Sequence, residues 1–157
     1  MSDRDELVEL LARYASMPDT GDWDELPLMV FADEVTMDFE SLGGQPATTA
    51  PRAELMALYK SLFAAWSATN HAITNHRITV DGDRATIRAH VRAEHWLPPE
   101  LVESGPNCWL VVGFYDDDAV RGADGWRLTK VKLSVTHEEN AHVAAVAFAA
   151  ANTGQSR

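Results

Sequence analysis

The chain has 157 residues, 46% of them hydrophobic and 24% charged, which is the composition of one globular domain and excludes a disordered chain. Its formal net charge of -11 argues against nucleic acids and anionic membrane surfaces as partners, because both are themselves negatively charged. The single cysteine, Cys108, excludes an intrachain disulfide, and the acidic N-terminus lacks the basic and apolar segments of a signal peptide. We therefore expect a cytoplasmic protein in which residues 1–157 form one domain, with a core over about residues 4–151.

The first segment of the chain predicts two helices. Ser2 can cap a helix together with Asp5 three residues later, and leucines then recur at helical spacing. Pro18 and Gly21 are predicted to end this helix, because both residue types disfavour its continuation. A second, short helix is expected over residues 23–31.

A strand and a long helix are predicted next. Apolar and polar residues alternate over residues 35–39, which is the period of a half-buried strand, and the polar stretch SLGGQPATTA after it is typical of a loop. Leucines and aromatic residues recur at helical spacing between Pro51 and Trp66. This spacing predicts an amphipathic helix that begins near Pro51, where proline is tolerated in the first turn.

The hydrophobic pattern changes to a period of two beyond this helix. Ile78 and Val80 lead into the turn Asp81-Gly82-Asp83, and an alternating run over residues 85–96 follows. The segment therefore predicts a β-hairpin.

The last third of the chain predicts two more strands and a terminal helix. The strands lie near residues 107–116 and 126–136, on either side of a turn with the sequence DDDAVRGADG. The Ala-rich segment HEENAHVAAVAFAAANTG predicts a helix that Asn152 and Gly154 stop.

This order of elements predicts an α+β fold, in which helices are segregated from a curved antiparallel sheet. The N-terminal and central helices would cover the concave face of the sheet and leave a cone with one mouth. Such a cone is mostly apolar with a few inward polar groups, which is the usual character of a small-molecule site.

His95 is a candidate for chemistry inside this cone. The apolar residues from Ile87 to Ala93 share one face of their strand, and strict alternation places His95 on the same face. The alternative is a histidine at the sheet edge, because the prolines at 98 and 99 end the strand shortly after it. The pattern leaves both positions open.

His71 lies between the long helix and the predicted hairpin, with a parity opposite to that of Ile78 and Val80. It can share their face only through a bulge or a loop, and the residues alone favour a helix-to-strand connection.

Two other kinds of site, a zinc site and a catalytic thiol, are excluded. The histidines of HEENAH are five residues apart, which does not suit a zinc site on one helical face, and Cys108 lacks the context of a catalytic thiol. Neither a cofactor nor a metal is expected.

Four segments taken together resemble the SnoaL-like branch of the nuclear transport factor two-like superfamily, which includes scytalone dehydratase and bile-acid dehydratase. They are YASMPDTGDWDELPLMVFADEVTMDFES, TNHAITN, DGDRATIRAHVRAEHW and GFYDDDAVRGADGWRL. The likeness covers residues 4–137 and rests on the order and spacing of the segments, because no single motif is diagnostic.

The resemblance implies an acid-base site. In this family an aspartate before the G-D-W turn points into the cone and pairs with the histidine of the T-x-H segment, and these positions are Asp19 and His71. A carboxylate bonded to one ring nitrogen of a histidine fixes its tautomer and makes the other nitrogen more basic. His95 matches a second acid-base position, in agreement with its strand parity, and Tyr14 matches an aromatic residue of the pocket.

The same likeness identifies departures from scytalone dehydratase. Pro18 and Phe39 stand where that enzyme has two tyrosines that hold a water beside the substrate carbonyl, and Trp109 and Val111 stand where it has a serine and an asparagine. The acid-base core is retained in an apolar shell, so we expect a more hydrophobic substrate. The residues expected to line the pocket are Phe39, Tyr59, Val91, Trp109, Val111 and Leu133.

Together these features predict a cofactor-independent dehydratase, isomerase or cyclase that acts on a hydrophobic small molecule of secondary metabolism, such as a polyketide, terpenoid or steroid-like compound. His71, activated by Asp19, would be the base, and His95 or Tyr14 would protonate a departing hydroxyl or stabilise an oxyanion. The alternative is a non-catalytic binding or adaptor module of the same fold, with Asp19 and His71 as a buried structural pair. The resemblance also implies a homodimer or homotrimer.

Overall fold

The computed structural model describes residues 1–154 and has the α+β architecture that the sequence predicts. In chain order its elements are α1 (Asp3–Thr20), α2 (Leu26–Val30), β1 (Phe31–Asp38), α3 (Glu40–Gly43), β2 (Thr48–Pro51), α4 (Arg52–Phe63), β3 (Ala68–Asp81), β4 (Arg84–Trp96), a 3-10 turn (Pro99–Leu101), β5 (Cys108–Gly122), β6 (Gly125–Glu139) and α5 (Ala141–Gly154). The capped first helix, the long helix after Pro51 and the meander of four antiparallel strands are confirmed.

The start of α1 shows the predicted reciprocal cap. The Asp5 backbone amide donates to the Ser2 hydroxyl at 3.2 Å, and the Asp5 carboxylate accepts from the Ser2 backbone amide at 3.1 Å. These bonds satisfy amides that have no partner within the helix. They fix where α1 begins and therefore where its last turn lies.

The end of α1 differs from the prediction. The helix continues through Pro18, because a proline this close to the end disturbs only the last turn, and it stops at Gly21, whose φ of 71° is left-handed. The Gly21 amide donates to the Met17 carbonyl at 2.9 Å. The extra turn makes Asp19 the penultimate residue of the helix and carries it to the edge of the sheet.

Several predicted elements differ in extent or type from those of the structure. Helix α2 is shorter than residues 23–31, and SLGGQPATTA contains α3 and the edge strand β2 instead of a loop. Most of DDDAVRGADG continues β5, because pairing with β4 on one side and β6 on the other overrides the low strand propensity of aspartate. The HEE segment ends β6, and α5 passes Asn152 to reach Gly154, the last described residue.

Strand β3 is longer than predicted and contains His71, which the sequence alone assigned to a connection. A bulge between Thr74 and Arg77 inserts one extra residue opposite β4, and Asn75 adopts a left-handed φ of 57° there. The bulge reverses the side-chain parity of the strand. His71 and Ile78 therefore face the same side of the sheet despite their odd separation.

The six strands form one curved, unclosed sheet in the order β2-β1-β6-β5-β4-β3, in which β1 and β6 are parallel and the other pairs antiparallel. Helix α1 packs on β3, and α4 contacts β1 and α5. The helices bury the concave face, where fully buried residues include Leu7, Leu11, Phe31, Val35 and Leu128. Over residues 1–154, no helix is both long enough and apolar enough to cross a membrane.

Asp117 is a buried carboxyl group on the inward face of β5, with 1% of its surface exposed. Its Oδ1 accepts the Lys132 amide at 3.2 Å, and its Oδ2 has no hydrogen-bond partner within residues 1–154. Burial raises the pKa of Asp117 well above its usual 3.8, against the smaller opposing effect of the Lys132 amide. The carboxyl therefore remains protonated in the folded protein at pH values where the unfolded chain has already ionised.

Because the folded pKa of Asp117 is raised, its contribution to stability is complete below pH 3.8 and is lost as the pH rises toward the folded value. Asp117→Asn, which cannot ionise and keeps the acceptor for Lys132, is expected to gain about 1–3 kcal/mol in free energy of unfolding relative to the parent near neutral pH. Urea unfolding at a series of pH values from about 4 to neutral measures the widening difference. Asp124→Asn, at an exposed position in the turn between β5 and β6, is the control, and parallel curves for parent and Asp117→Asn would contradict the prediction.

Candidate functional site

The site is built around a pair formed by the end of α1 and the edge of β3. The Asp19 carboxylate accepts three hydrogen bonds: from the His71 backbone amide to Oδ2 at 2.8 Å, from the Thr69 hydroxyl to Oδ1 at 2.8 Å, and from His71 Nδ1 to Oδ1 at 2.7 Å. Strand β3 is an edge strand, so its outward amide needs a partner outside the sheet. Asp19 satisfies this backbone group and holds the histidine ring at the same time.

This geometry fixes the protonation pattern of the pair. Burial opposes ionisation of Asp19, but the hydrogen bonds from His71 and Thr69 together outweigh it and hold the pKa of Asp19 below 3.8. An ionised carboxylate only accepts hydrogen bonds, so Nδ1 of His71 carries a hydrogen and Nε2 carries the lone pair of the neutral ring. No group within residues 1–154 bonds to Nε2, and the His71 side chain is 10% exposed. Nε2 is the atom available to a ligand.

His95 lies on the inward face of β4, 4% exposed, with its ring centre 5.1 Å from that of His71 and perpendicular to it. The structure therefore places His95 in the interior and not at an exposed strand end. Burial, with the nearby His71, lowers the pKa of His95 to about 3, so the ring is neutral at neutral pH. Its Nδ1 lies 3.4 Å from the Trp109 carbonyl oxygen, which is too long to fix the tautomer firmly.

Aromatic rings surround the two histidines. The ring centres of Trp66 and Trp109 lie 5.3 and 4.6 Å from that of His95, and Phe63 lies 6.0 Å from it. Tyr14 packs edge-on against Tyr115 at 5.5 Å, and burial raises the pKa of both hydroxyls above 10, so both remain protonated donors. The aromatic rings therefore hold the His95 ring and the two tyrosine hydroxyls in fixed orientations.

The cavity between the sheet and helices α1, α4 and α5 has a volume of about 490 Å³, within the range of small-molecule sites. His71, His95 and Tyr14 line the cavity, and Asp19 is hydrogen-bonded to His71. The six residues predicted for the pocket wall all line this cavity, and their role in substrate binding stays a prediction: Phe39, Tyr59, Val91, Trp109, Val111 and Leu133. Ala141, Ala144 and Phe148 of α5 also line the cavity, so the terminal helix covers it.

Sequence reasoning missed several lining residues. Phe63 and Trp66 were recognisable as the apolar side of the long helix segment, but nothing in the pattern distinguished a cavity wall from a packed core. Glu138 also lines the cavity and its carboxylate accepts the Trp109 indole N–H at 2.7 Å. Its inward direction follows from a strand bulge, which periodicity does not reveal.

Residues 1–132 match the SnoaL-like domain. The chain belongs to the SnoaL-like family. Its relatives include the Mycobacterium tuberculosis protein Rv2910c, which is 30% identical over 131 residues that cover 83% of each chain.

Solved structures agree with this family assignment. The Kfla4162 protein of Kribbella flavida is 55% identical and superposes with a TM-score of 0.89 over 91% of this chain and 97% of that one. A candidate scytalone dehydratase from Novosphingobium aromaticivorans has a TM-score of 0.72 over 87% of this chain and 86% of its own, at 18% identity. The second likeness shows a shared fold, and the same fold occurs in a Streptomyces avermitilis protein described as a member of the NTF2-like family, with a TM-score of 0.72 over 86% of this chain and 97% of its own, at 19% identity.

Proposed function

We propose that this SnoaL-like protein is a cofactor-independent dehydratase, isomerase or cyclase acting on a hydrophobic small molecule such as a polyketide, terpenoid or steroid-like compound. The observation that carries the proposal is the Asp19–His71 pair, bonded at 2.7 Å, in the wall of an aromatic cavity of about 490 Å³. Titratable groups that a partner orients inside a cleft are candidates for functional sites. The end of the cavity that holds His71 and His95 is where a ligand's reacting carbon would lie.

The proposed chemistry begins with a proton transfer from the ligand to His71. Nε2 takes a proton from a carbon beside a carbonyl group, the C–H electron pair becomes the enolate, and the imidazolium is stabilised by the Asp19 carboxylate. Return of the proton to a departing hydroxyl completes a dehydration with loss of water, and its return to another carbon completes an isomerisation. Removal of a proton from a hydroxyl nucleophile by the same nitrogen leads to ring closure. One base therefore serves all three reactions.

His95 and Tyr14 are proposed to stabilise the oxygen on which negative charge develops. With a pKa of about 3, His95 is no source of an imidazolium proton at neutral pH. Its neutral ring can donate a hydrogen bond from Nε2 only in the tautomer in which Nδ1 gives up its 3.4 Å hydrogen bond to the Trp109 carbonyl oxygen. The protonated Tyr14 hydroxyl is the alternative donor.

Two neighbours of the same fold support an elimination. One is the candidate scytalone dehydratase, and another is described as a hexachlorocyclohexane dehydrochlorinase from Novosphingobium barchaimii, with a TM-score of 0.68 and 17% identity. Loss of water and loss of hydrogen chloride both require removal of a proton from carbon. A base without a metal or redox group is sufficient for that step.

The competing proposal is a small-molecule binding module. It is favoured by the fact that Asp19 also bonds the His71 backbone amide and the Thr69 hydroxyl, so the pair can serve to close the sheet edge. Under this proposal the aromatic cavity still binds an apolar ligand but transfers no proton. The two proposals differ only in the chemistry at Nε2.

Deuterium exchange separates the two. Apolar ketones, including α-tetralone, a decalone and a steroid ketone, are first tested for binding by calorimetry and are then incubated with the protein in D₂O. An acid-base enzyme is expected to accelerate the gain of mass at the carbon beside the carbonyl, as measured by mass spectrometry. Ketones that bind but exchange only at the rate of buffer would overturn the catalytic proposal in favour of the binding module.

We also propose that the protein is a cytoplasmic homodimer or homotrimer, on the basis of the family resemblance. Light scattering coupled to gel filtration measures the mass directly. A monomer at micromolar concentration would contradict this part of the proposal.

A further inference from the structure

Glu138 faces the cavity because of a second bulge. Gly113 is paired with Val135, but Val112 is paired with His137, so one extra residue of β6 lies between these pairs. Beyond the bulge Glu138 is paired with Val111, and directly paired residues share a face of the sheet. The bulge thus turns a carboxylate inward at the end of a strand whose inward residues are otherwise apolar, such as Leu133.

Trp109 holds this carboxylate against the cavity wall. The indole N–H donates to Oε1 of Glu138 at 2.7 Å. The indole itself is fixed, because Trp109 is 4% exposed and packs on Trp66 at 5.8 Å and on Phe148 at 6.0 Å. The second carboxylate oxygen, Oε2, has no partner in the part of the chain that the structure describes. A carboxylate accepts about four hydrogen bonds, so most of its capacity is open to a ligand.

Glu138 is an exposed residue, so its carboxylate lies at the solvent-facing rim of the cavity, where no cation of residues 1–154 balances its charge. Among the described residues, neither lysine nor arginine lines the cavity, and the only other carboxylate at the site, Asp19, is engaged by His71 and Thr69. The protein as a whole is also anionic, with a net charge of -11. The chemistry that complements such a group is a hydrogen-bond donor, and most strongly a positively charged one.

His71 and Glu138 lie in one row across the sheet. His71 is paired with Ala93, Ala93 with Val111, and Val111 with Glu138, so three strand spacings, about 14 Å of backbone, separate the two ends. The curvature of the sheet and the inward side chains shorten the gap between the functional groups. A cavity of about 490 Å³ between them has the volume of a small-molecule site, which makes ligands with two fused rings suitable probes.

We propose that Glu138 is a specificity-determining residue that binds a hydrogen-bond-donor group, a hydroxyl or a protonated amine, on the ligand at the end remote from His71. This inference rests on the proposal that the cavity binds an apolar small molecule, and it adds that the molecule carries a donor at its far end. Trp109 is the positioning residue for the carboxylate.

The test uses three probes of the same shape: naphthalene carrying an aminomethyl, a hydroxymethyl or an ethyl group at one ring position. Their dissociation constants are measured by calorimetry with the parent protein, with Glu138→Gln and with Glu139→Gln. Glutamine still accepts the Trp109 N–H and removes only the charge. Glu139 is the matched control, because it lies next to Glu138 but bonds His137 at 3.0 Å on the other face of the strand.

Glu138→Gln is expected to weaken binding of the ammonium probe about tenfold, that of the alcohol about two- to threefold, and that of the ethyl probe not at all. Glu139→Gln is expected to leave all three dissociation constants within about twofold of the parent, as for exposed charges outside a site. Equal effects of the two substitutions on the ammonium probe would overturn the inference. So would failure of every probe to bind, which would also remove the proposed ligand class.

The outcome is independent of catalysis. If the ammonium probe depends on Glu138 but no bound ketone exchanges deuterium, the acid-base proposal fails and Glu138 remains the specificity residue of a binding module. If ketones exchange deuterium but Glu138→Gln leaves the dissociation constants of the probes unchanged, the enzyme proposal stands and this inference fails.

Discussion

The His71→Gln protein is expected to exchange deuterium into a bound ketone about 100- to 10,000-fold more slowly than the parent, which is the usual contribution of a positioned general base. Glutamine is similar in length and polarity but has no atom that accepts a proton at neutral pH. The backbone amide at position 71 still reaches Asp19. The loss therefore isolates the ring nitrogen Nε2. The rate is measured by mass spectrometry of the recovered ketone.

Asp19→Asn tests the second half of the pair in the same assay. The asparagine amide can donate to Nδ1 of His71, which would place the ring hydrogen on Nε2, where it blocks proton uptake. We expect a loss of similar size with the cavity intact. His90→Gln is the matched control, because His90 lies on the outer face of β4 with its ring 4.6 Å from Phe114.

Parent-like exchange by His71→Gln, with parent-like circular dichroism, would assign the proton transfer to another group. A loss in His90→Gln as large as that in His71→Gln would show that the histidine substitutions act through the fold.

Gly113→Ala is expected to lower the free energy of unfolding by about 3 kcal/mol or more, at the upper end of the cost of overpacking. A Cβ atom at this position would lie 2.2 Å from the Ser134 carbonyl oxygen and 3.1 Å from the Val135 Cα. Both obstacles are backbone atoms of a central strand, so neither can move aside as a side chain would. The bulge of β6 that directs Glu138 inward begins at this contact. Urea denaturation measures the change.

Gly122→Ala is the control for this prediction. A Cβ atom there meets nothing closer than 4.0 Å, and its φ is not left-handed, so a change below about 0.5 kcal/mol is expected. If Gly113→Ala were as stable as Gly122→Ala, the close approach of β5 and β6 at this bulge would be wrong. The inward direction of Glu138 would then lose its structural basis.

Elements with local signals could be predicted from the residues alone. The Ser2–Asp5 cap and the helix after Pro51 follow from residues a few positions apart, and the structure has both. The alternation along β4 left His95 either inside or at the sheet edge, and the structure places it inside. The resemblance named Asp19 and His71 as partners, and the structure brings them to 2.7 Å. Their roles in catalysis stay predictions.

The direction of the side chains near strand irregularities could not be predicted, because it depends on long-range strand pairing. One extra residue reverses the parity of a strand, and whether it is inserted depends on pairing with a partner far along the chain. The bulge before Arg77 turns His71 inward, and the bulge facing Gly113 turns Glu138 inward, although both lie off the simple alternation. Likewise, two-sided pairing keeps the acidic segment DDDAVRG extended within β5. Contacts between distant strands, which no local pattern encodes, therefore set the two ends of the cavity.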